Sequence, residues 1–103
     1  TDSVTDEVIR LARLALEARA HGVVCSGHEV ARITAETEDR LATLVPGVRL
    51  AGDSANDQSR VVTPGNAARA GATYVVLGRT VTASADPVAA MELVRAELLI
   101  EGP

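Results

Sequence analysis

Hydrophobic positions along the 103-residue chain follow two patterns, helical spacing and short continuous runs. Helical spacing predicts a first helix over about residues 4–20. The apolar positions that fall near one face of this helix are Val4, Val8, Leu11, Ala12, Ala15 and Ala18. Continuous apolar runs predict three buried strands, at residues 22–25, 43–45 and 74–77.

Capping signals predict three more helices. Ser26 with Glu29 three positions later fits a capping box, so a second helix is expected to begin at Ser26. Thr63-Pro64 starts a third helix, which Gly71 ends. Asp86-Pro87 repeats the cap-plus-proline start for a final helix. Its apolar residues recur at helical spacing: Val88, Met91, Val94 and Leu98.

The predicted order is one helix followed by three strand–helix units, which defines an α/β fold with a parallel sheet. Pro46-Gly47 is expected to end the second strand, and residues 48–62 are polar enough to form a long loop. No linker divides the chain, so residues 1–103 are interpreted as a single domain. Three strands are too few for a closed barrel, which needs about eight. The sheet would leave two edges and one face exposed, so the chain is expected either to self-associate or to be a piece of something larger. Self-association into a homo-oligomer, with the edges pairing across a symmetric interface, is the favoured outcome.

Composition excludes several functions. All ten basic residues are Arg, and the net charge of −4 argues against nucleic-acid binding. The absence of Lys excludes a catalytic lysine amine. Cys25 is the sole cysteine and lies in an apolar run, so it is interpreted as a buried small hydrophobe. No run approaches the roughly 20 apolar residues of a membrane span, no signal peptide is visible, and a cytoplasmic location is expected. Neither a cofactor nor a metal site is predicted.

Candidate ligand contacts follow the predicted strands, because ligands bind beyond the carboxyl ends of parallel strands. Arg49 follows the second strand, Gly78 and Arg79 follow the third, and Gln58 belongs to the long loop. A glycine lets an anion approach the backbone, and Arg adds a planar fork of donors. These residues could therefore converge on one phosphate group. The alternative for each Arg is a surface or salt-bridge role.

Five segments, in this order, resemble the last part of bacterial orotidine 5'-phosphate decarboxylases. They are Gly-Val-Val-Cys-Ser at 22–26, Leu-Val-Pro-Gly-Val-Arg at 44–49, Asp-Gln-Ser-Arg-Val-Val-Thr-Pro at 57–64, Ala-Gly-Ala-Thr-Tyr-Val-Val-Leu-Gly-Arg at 70–79, and Asp-Pro at 86–87. A strand followed by Gly-Arg alone is a weak signal, since many phosphate-binding barrels share it. The Pro-Gly-Val-Arg segment followed by Asp-Gln and Val-Thr-Pro is much more specific.

The resemblance implies part of a (β/α) barrel, with this chain supplying the fifth helix and the sixth, seventh and eighth strands. It implies phosphate contacts at Gln58, Gly78 and Arg79, a nearby ligand contact at Arg49, and Pro46 near the base pocket. It also implies a homodimeric, pyrimidine-making lyase, with residues 48–60 resembling that family's closing loop over the nucleotide.

Departures from the family pattern restrict the expected activity. The family's catalytic array alternates Lys and Asp on early strands, and this chain has no Lys and none of those strands. His21 stands where the family usually has Asp, and no functional account of that change follows from the sequence. Three hypotheses remain open. The chain is a domain that binds uridine or orotidine monophosphate without turnover, a decarboxylase part that needs a complementing N-terminal piece, or a structural fragment that self-assembles.

Overall fold

The computed structural model describes residues 2–50 and 62–101 of the chain. Gln58, and with it most of the predicted loop, lies outside the described residues. The described residues form helices and strands in this order: α1 (Asp2–Glu17), β1 (Gly22–Val24), α2 (Val30–Glu36), β2 (Ala42–Val48), α3 (Pro64–Ala70), β3 (Tyr74–Leu77), α4 (Arg79–Thr82) and α5 (Pro87–Glu101).

The three strands form a parallel sheet in the order β1-β2-β3, which confirms the predicted α/β class and parallel pairing. The register aligns Val24 with Leu44 and Leu44 with Tyr74. A pair of threonines supports the β2–β3 side. The backbone N–H of Thr43 donates to the Thr73 hydroxyl at 3.0 Å, and the N–H of Thr73 lies 3.2 Å from the Thr43 hydroxyl.

Among the described residues, helices cover one face of this sheet and leave the other open. On the covered face, Val45 is fully buried and Thr43 is 1% exposed. The core around them consists of small branched and unbranched residues: Ile9, Ala12, Cys25, Val30, Ile33, Leu41, Val45, Val48 and Ala67. On the other face, Val24 is 69% exposed and Tyr74 is 52% exposed. The expectation of one open sheet face is therefore confirmed for the described residues.

The second strand is longer than predicted, because Pro46-Gly47 does not end it. Val45 pairs with Val75, and Val48 pairs with Leu77, so β2 uses one more residue than β3 between these pairs. This is a β-bulge, and Gly47 adopts the positive φ of 73° that glycine tolerates. The bulge returns Val48 to the buried face. Val48 also bridges to Val62, so both ends of the predicted loop lie beside the sheet.

Helix starts follow their predicted caps at two of three positions. The Thr63 hydroxyl accepts from the N–H of Asn66 at 3.2 Å, and the Asp86 carboxylate accepts from the N–H of Ala89 at 3.1 Å. The predicted start at Ser26 is wrong, because α2 begins at Val30 after a turn. Half of the capping box forms there. The N–H of Ser26 donates to the Glu29 carboxylate at 3.2 Å, but the Ser26 hydroxyl is buried without a hydrogen-bond partner.

Two predicted apolar faces and the number of helices need correction. In α1 the core side carries Ile9 and Ala12, whereas Val4 and Leu11 are exposed. In α5 Val94 is buried with Ala90, whereas Val88 is 70% exposed and Met91 is 46% exposed. A short fifth helix, α4, follows Gly78 where no helix was predicted.

Candidate functional site

An open cavity of about 880 Å³ lies at the carboxyl ends of β2 and β3. This volume is within the usual range for small-molecule sites. Its lining comes from the end of β2, the β3–α4 junction and one side of α5: Gly47, Val48, Arg49, Leu50, Val76, Gly78, Arg79, Thr80, Ala83, Ser84, Ala85, Asp86, Ala89, Ala90 and Leu93. Three of the predicted contacts, Arg49, Gly78 and Arg79, therefore line one cavity.

The β-bulge explains why Arg49 reaches this cavity. Side chains alternate between the faces of a strand, and the extra residue in β2 places Val48 in the core. Arg49 then follows at the rim of the cavity, and its side chain is half-buried. Pro46, predicted to lie near a base pocket, is exposed at the bulge and is not among the lining residues.

Gly78 and Arg79 form the other wall of the cavity. A Cβ placed on Gly78 would meet no heavy atom within 4 Å, so a ligand could come close to this backbone. Arg79 is exposed at the start of α4. In the part of the chain that the structure describes, no hydrogen bond or ion pair links the Arg79 guanidinium to another side chain.

Leu50 and Thr80 also belong to this site and were not predicted as candidates from the sequence. The N–H of Leu50 donates to the Thr80 hydroxyl at 3.1 Å, which joins the end of β2 to the first turn of α4. These residues lie 30 positions apart, and neither belongs to a motif. The one sequence signal for Leu50 and for Thr80 is that each directly follows an arginine.

A second groove lies between α1 and α2 and also contains arginines, but their charges are already neutralised. Arg13 forms an ion pair with Glu36, and Arg32 lies 3.4 Å from Asp6. An incoming anion would have to compete with these carboxylates. Among the described residues, Arg79 at the ends of β2 and β3 has no such carboxylate partner.

Cys25 lines neither groove, and its thiol is expected to be unreactive. Burial, followed by the nearby charge of Glu29, raises the pKa of the Cys25 thiol. A thiol with a raised pKa stays protonated and is a poor nucleophile. The exposed side chain of His28 is not among the residues that line the cavity. The described residues contain no group of three His, Cys, Asp or Glu side chains that could hold a metal ion, and no described helix is long and apolar enough to cross a membrane.

Parallel strands alternating with helices are the arrangement found in part of a (β/α) barrel. Residues 2–94 match the model of the orotidine 5'-phosphate decarboxylase / HUMPS family. The chain belongs to this family.

Among curated relatives, the chain is 46% identical over 93 residues to an orotidine 5'-phosphate decarboxylase of Gluconobacter oxydans, covering 90% of this chain and 39% of the relative. It is 51% identical over 89 residues to the enzyme of the same name from Shouchella clausii, covering 85% of this chain and 37% of the relative. A solved orotidine 5'-phosphate decarboxylase from Lactobacillus acidophilus superimposes with a TM-score of 0.76 at 32% identity, covering 91% of this chain and 37% of that one. The chain thus spans about two-fifths of the length of these relatives.

Proposed function

We propose that this chain is a partial barrel that holds the phosphate group of a uridine or orotidine monophosphate and does not decarboxylate it alone. The observation that carries the proposal is the meeting of Arg49, Gly78 and Arg79 around one cavity at the strand ends. Two guanidinium groups supply charge and forked donors, and Gly78 leaves room for a phosphate to approach the backbone. Gln58 is proposed as a further phosphate contact, as the resemblance implied.

The absence of turnover rests on the amino-acid content. The sequence contains no Lys, so it has no side-chain ammonium group to stabilise a carbanion and return a proton. The chain also spans only about two-fifths of the decarboxylases that it matches. Binding is thus expected to be local to this chain, whereas the chemistry would need residues from elsewhere.

Calorimetric titration of the pure chain with uridine monophosphate tests the proposal, with free phosphate as a reference ligand. We expect saturable binding that is tighter than that of phosphate and is lost in Arg79→Ala. Arg95→Ala is the matched control, because Arg95 is an exposed arginine on α5 that does not line the cavity. Binding that survives Arg79→Ala would place the site elsewhere.

A second candidate is that the chain forms one part of a decarboxylase completed by an N-terminal piece. The open sheet face favours this candidate, because Val24, Tyr74 and Val76 are apolar or aromatic and 43–69% exposed. In a closed barrel such a face is filled by side chains of the remaining strands. The test mixes this chain with the N-terminal remainder of the Gluconobacter oxydans enzyme and measures orotidylate decarboxylation. Activity of the mixture but of neither piece alone would support it, and activity of this chain alone would contradict it.

Self-association is the other way to cover the same surface, and we propose it for the isolated chain. In the described sheet β1 and β3 each present a free edge, and such edges pair readily with further strands. Light scattering should then give a mass above that of one chain, and a sharp monomer would contradict the proposal. If the chain assembles but binds no nucleotide, it is a structural fragment. The single domain and the cytoplasmic location stay predictions.

A further inference from the structure

One hydrogen bond joins the two segments that carry the proposed phosphate ligands. The N–H of Leu50 donates to the Thr80 hydroxyl at 3.1 Å. Leu50 directly follows Arg49, and Thr80 directly follows Arg79. Each end of this hydrogen bond is therefore one residue away from an arginine that lines the cavity.

The connection matters because it lies beyond the paired part of the sheet. The last register pair between β2 and β3 is Val48 with Leu77, and both strands end at this pair. The positions of Arg49 and Arg79 relative to each other therefore depend on contacts outside the ladder. The hydrogen bond between their neighbours, Leu50 and Thr80, is one such contact.

A second contact, made by Val62, holds the backbone of Arg49. The N–H of Arg49 donates to the carbonyl of Val62 at 2.9 Å. The side chain of Val62 lies against Gly27, where an added Cβ would approach it to 2.6 Å. The backbone of Arg49 is thus anchored on the α2 side through Val62 and on the α4 side through Leu50 and Thr80.

We infer that Thr80 is a positioning residue for the phosphate site: its hydroxyl holds the Leu50 backbone so that Arg49 and Arg79 face one anion before it binds. The inference rests on the proposed function. Fixing the two arginines in advance reduces the ordering cost of binding. The Thr80 hydroxyl acts through the arginines and is not assigned a contact with the ligand.

Removing this hydroxyl without changing the shape of the side chain is the direct perturbation. Thr80→Val removes the acceptor of the Leu50 N–H, and Thr80→Ser keeps it. Thr82→Val is the control, because Thr82 lies in the same short helix and donates its own hydroxyl to the carbonyl of Gly78, away from Leu50. Thr80→Ala, which is also without a hydroxyl but smaller, serves if Thr80→Val does not fold.

Uridine monophosphate is titrated into each variant by calorimetry, and hydrogen exchange of the Leu50 amide is followed by NMR. We expect Thr80→Val to weaken binding by about fivefold, the effect of losing one ordinary hydrogen bond, and to speed exchange at Leu50. Thr80→Ser should restore both values, and Thr82→Val should change affinity by less than about twofold.

Two results would overturn the inference while the proposed function stands. One is wild-type affinity in Thr80→Val when Arg79→Ala has lost binding, and the other is equal loss in Thr80→Ser and Thr80→Val. Failure of the wild-type chain to bind uridine monophosphate is a different result. It is seen before any variant is compared, and it would refute the proposed function and the role of Thr80 together.

Discussion

The two faces of the sheet are expected to respond very differently to the same substitution. Val45 is fully buried on the helix-covered face, and Val24 is 69% exposed on the open face. Val45→Ala removes two methyl groups from packed surroundings. The lost transfer free energy of about 0.8 kcal/mol per group, with a cavity contribution added, gives a loss of about 2–3 kcal/mol in the free energy of unfolding. Val24→Ala should cost less than about 0.5 kcal/mol, as for other exposed positions.

Urea unfolding followed by far-ultraviolet circular dichroism measures both effects at a low protein concentration. We expect Val45→Ala to lower the urea midpoint by about 1–2 M with an unchanged slope, because slopes for small domains are about 1–3 kcal/mol per M. The midpoint of Val24→Ala should stay close to that of the wild type. At high concentration, where the proposed assembly covers the open face, Val24→Ala should begin to cost stability. Equal losses for the two variants at low concentration would refute the assignment of the covered face.

Three further substitutions test local features of the fold. Gly22→Ala should lower the free energy of unfolding by about 1–3 kcal/mol, because the added Cβ would lie 2.4 Å from the carbonyl oxygen of Ala42. Gly78→Ala is the control and should be tolerated, because its added Cβ would point into open space. Wild-type stability of Gly22→Ala in urea would contradict the Ala42 contact. Thr63→Ala should lower the free energy of unfolding by about 1 kcal/mol through loss of the α3 cap, and Thr63→Ser should restore thermal stability. Equal melting temperatures for the two variants would argue against the cap. The pKa of Cys25 is raised in the folded chain, so the unfolded chain loses the thiol proton at a lower pH than the folded chain does. The free energy of unfolding should therefore stay constant below the ordinary thiol pKa and fall as pH rises through the folded value. Cys25→Ala should remove this alkaline fall in urea midpoints, and persistence of the fall would assign it to another group.

The strands were predictable because each leaves a continuous apolar run, although β1 and β3 are not buried as expected and expose one face in the described residues. The buried faces of the helices were less predictable from the sequence. Helical spacing marks every apolar stripe of a chain, whatever later covers it, and Val4, Leu11 and Val88 are exposed in this chain alone. In the described residues, Ile9 and Val94 form the core contacts of these helices instead.

The candidate site was predictable only in part. Gly-Arg after a strand and Arg49 after Pro-Gly are local signals, and the structure brings these residues to one cavity. The β-bulge depends on pairing with β3, and the Leu50–Thr80 bond joins residues 30 positions apart. Neither leaves a local pattern, because each arises from tertiary geometry. The predicted contact at Gln58 lies outside the described residues and stays a prediction.

The most direct test of the account compares three ligands in one calorimetric series: uridine monophosphate, ribose 5-phosphate and uridine. If the chain retains a phosphate-binding end without the part that recognises the base, the two phosphates should bind with similar affinity and uridine should not bind. Binding of uridine, or no binding by either phosphate, would contradict the central claim that Arg49, Gly78 and Arg79 form a phosphate site.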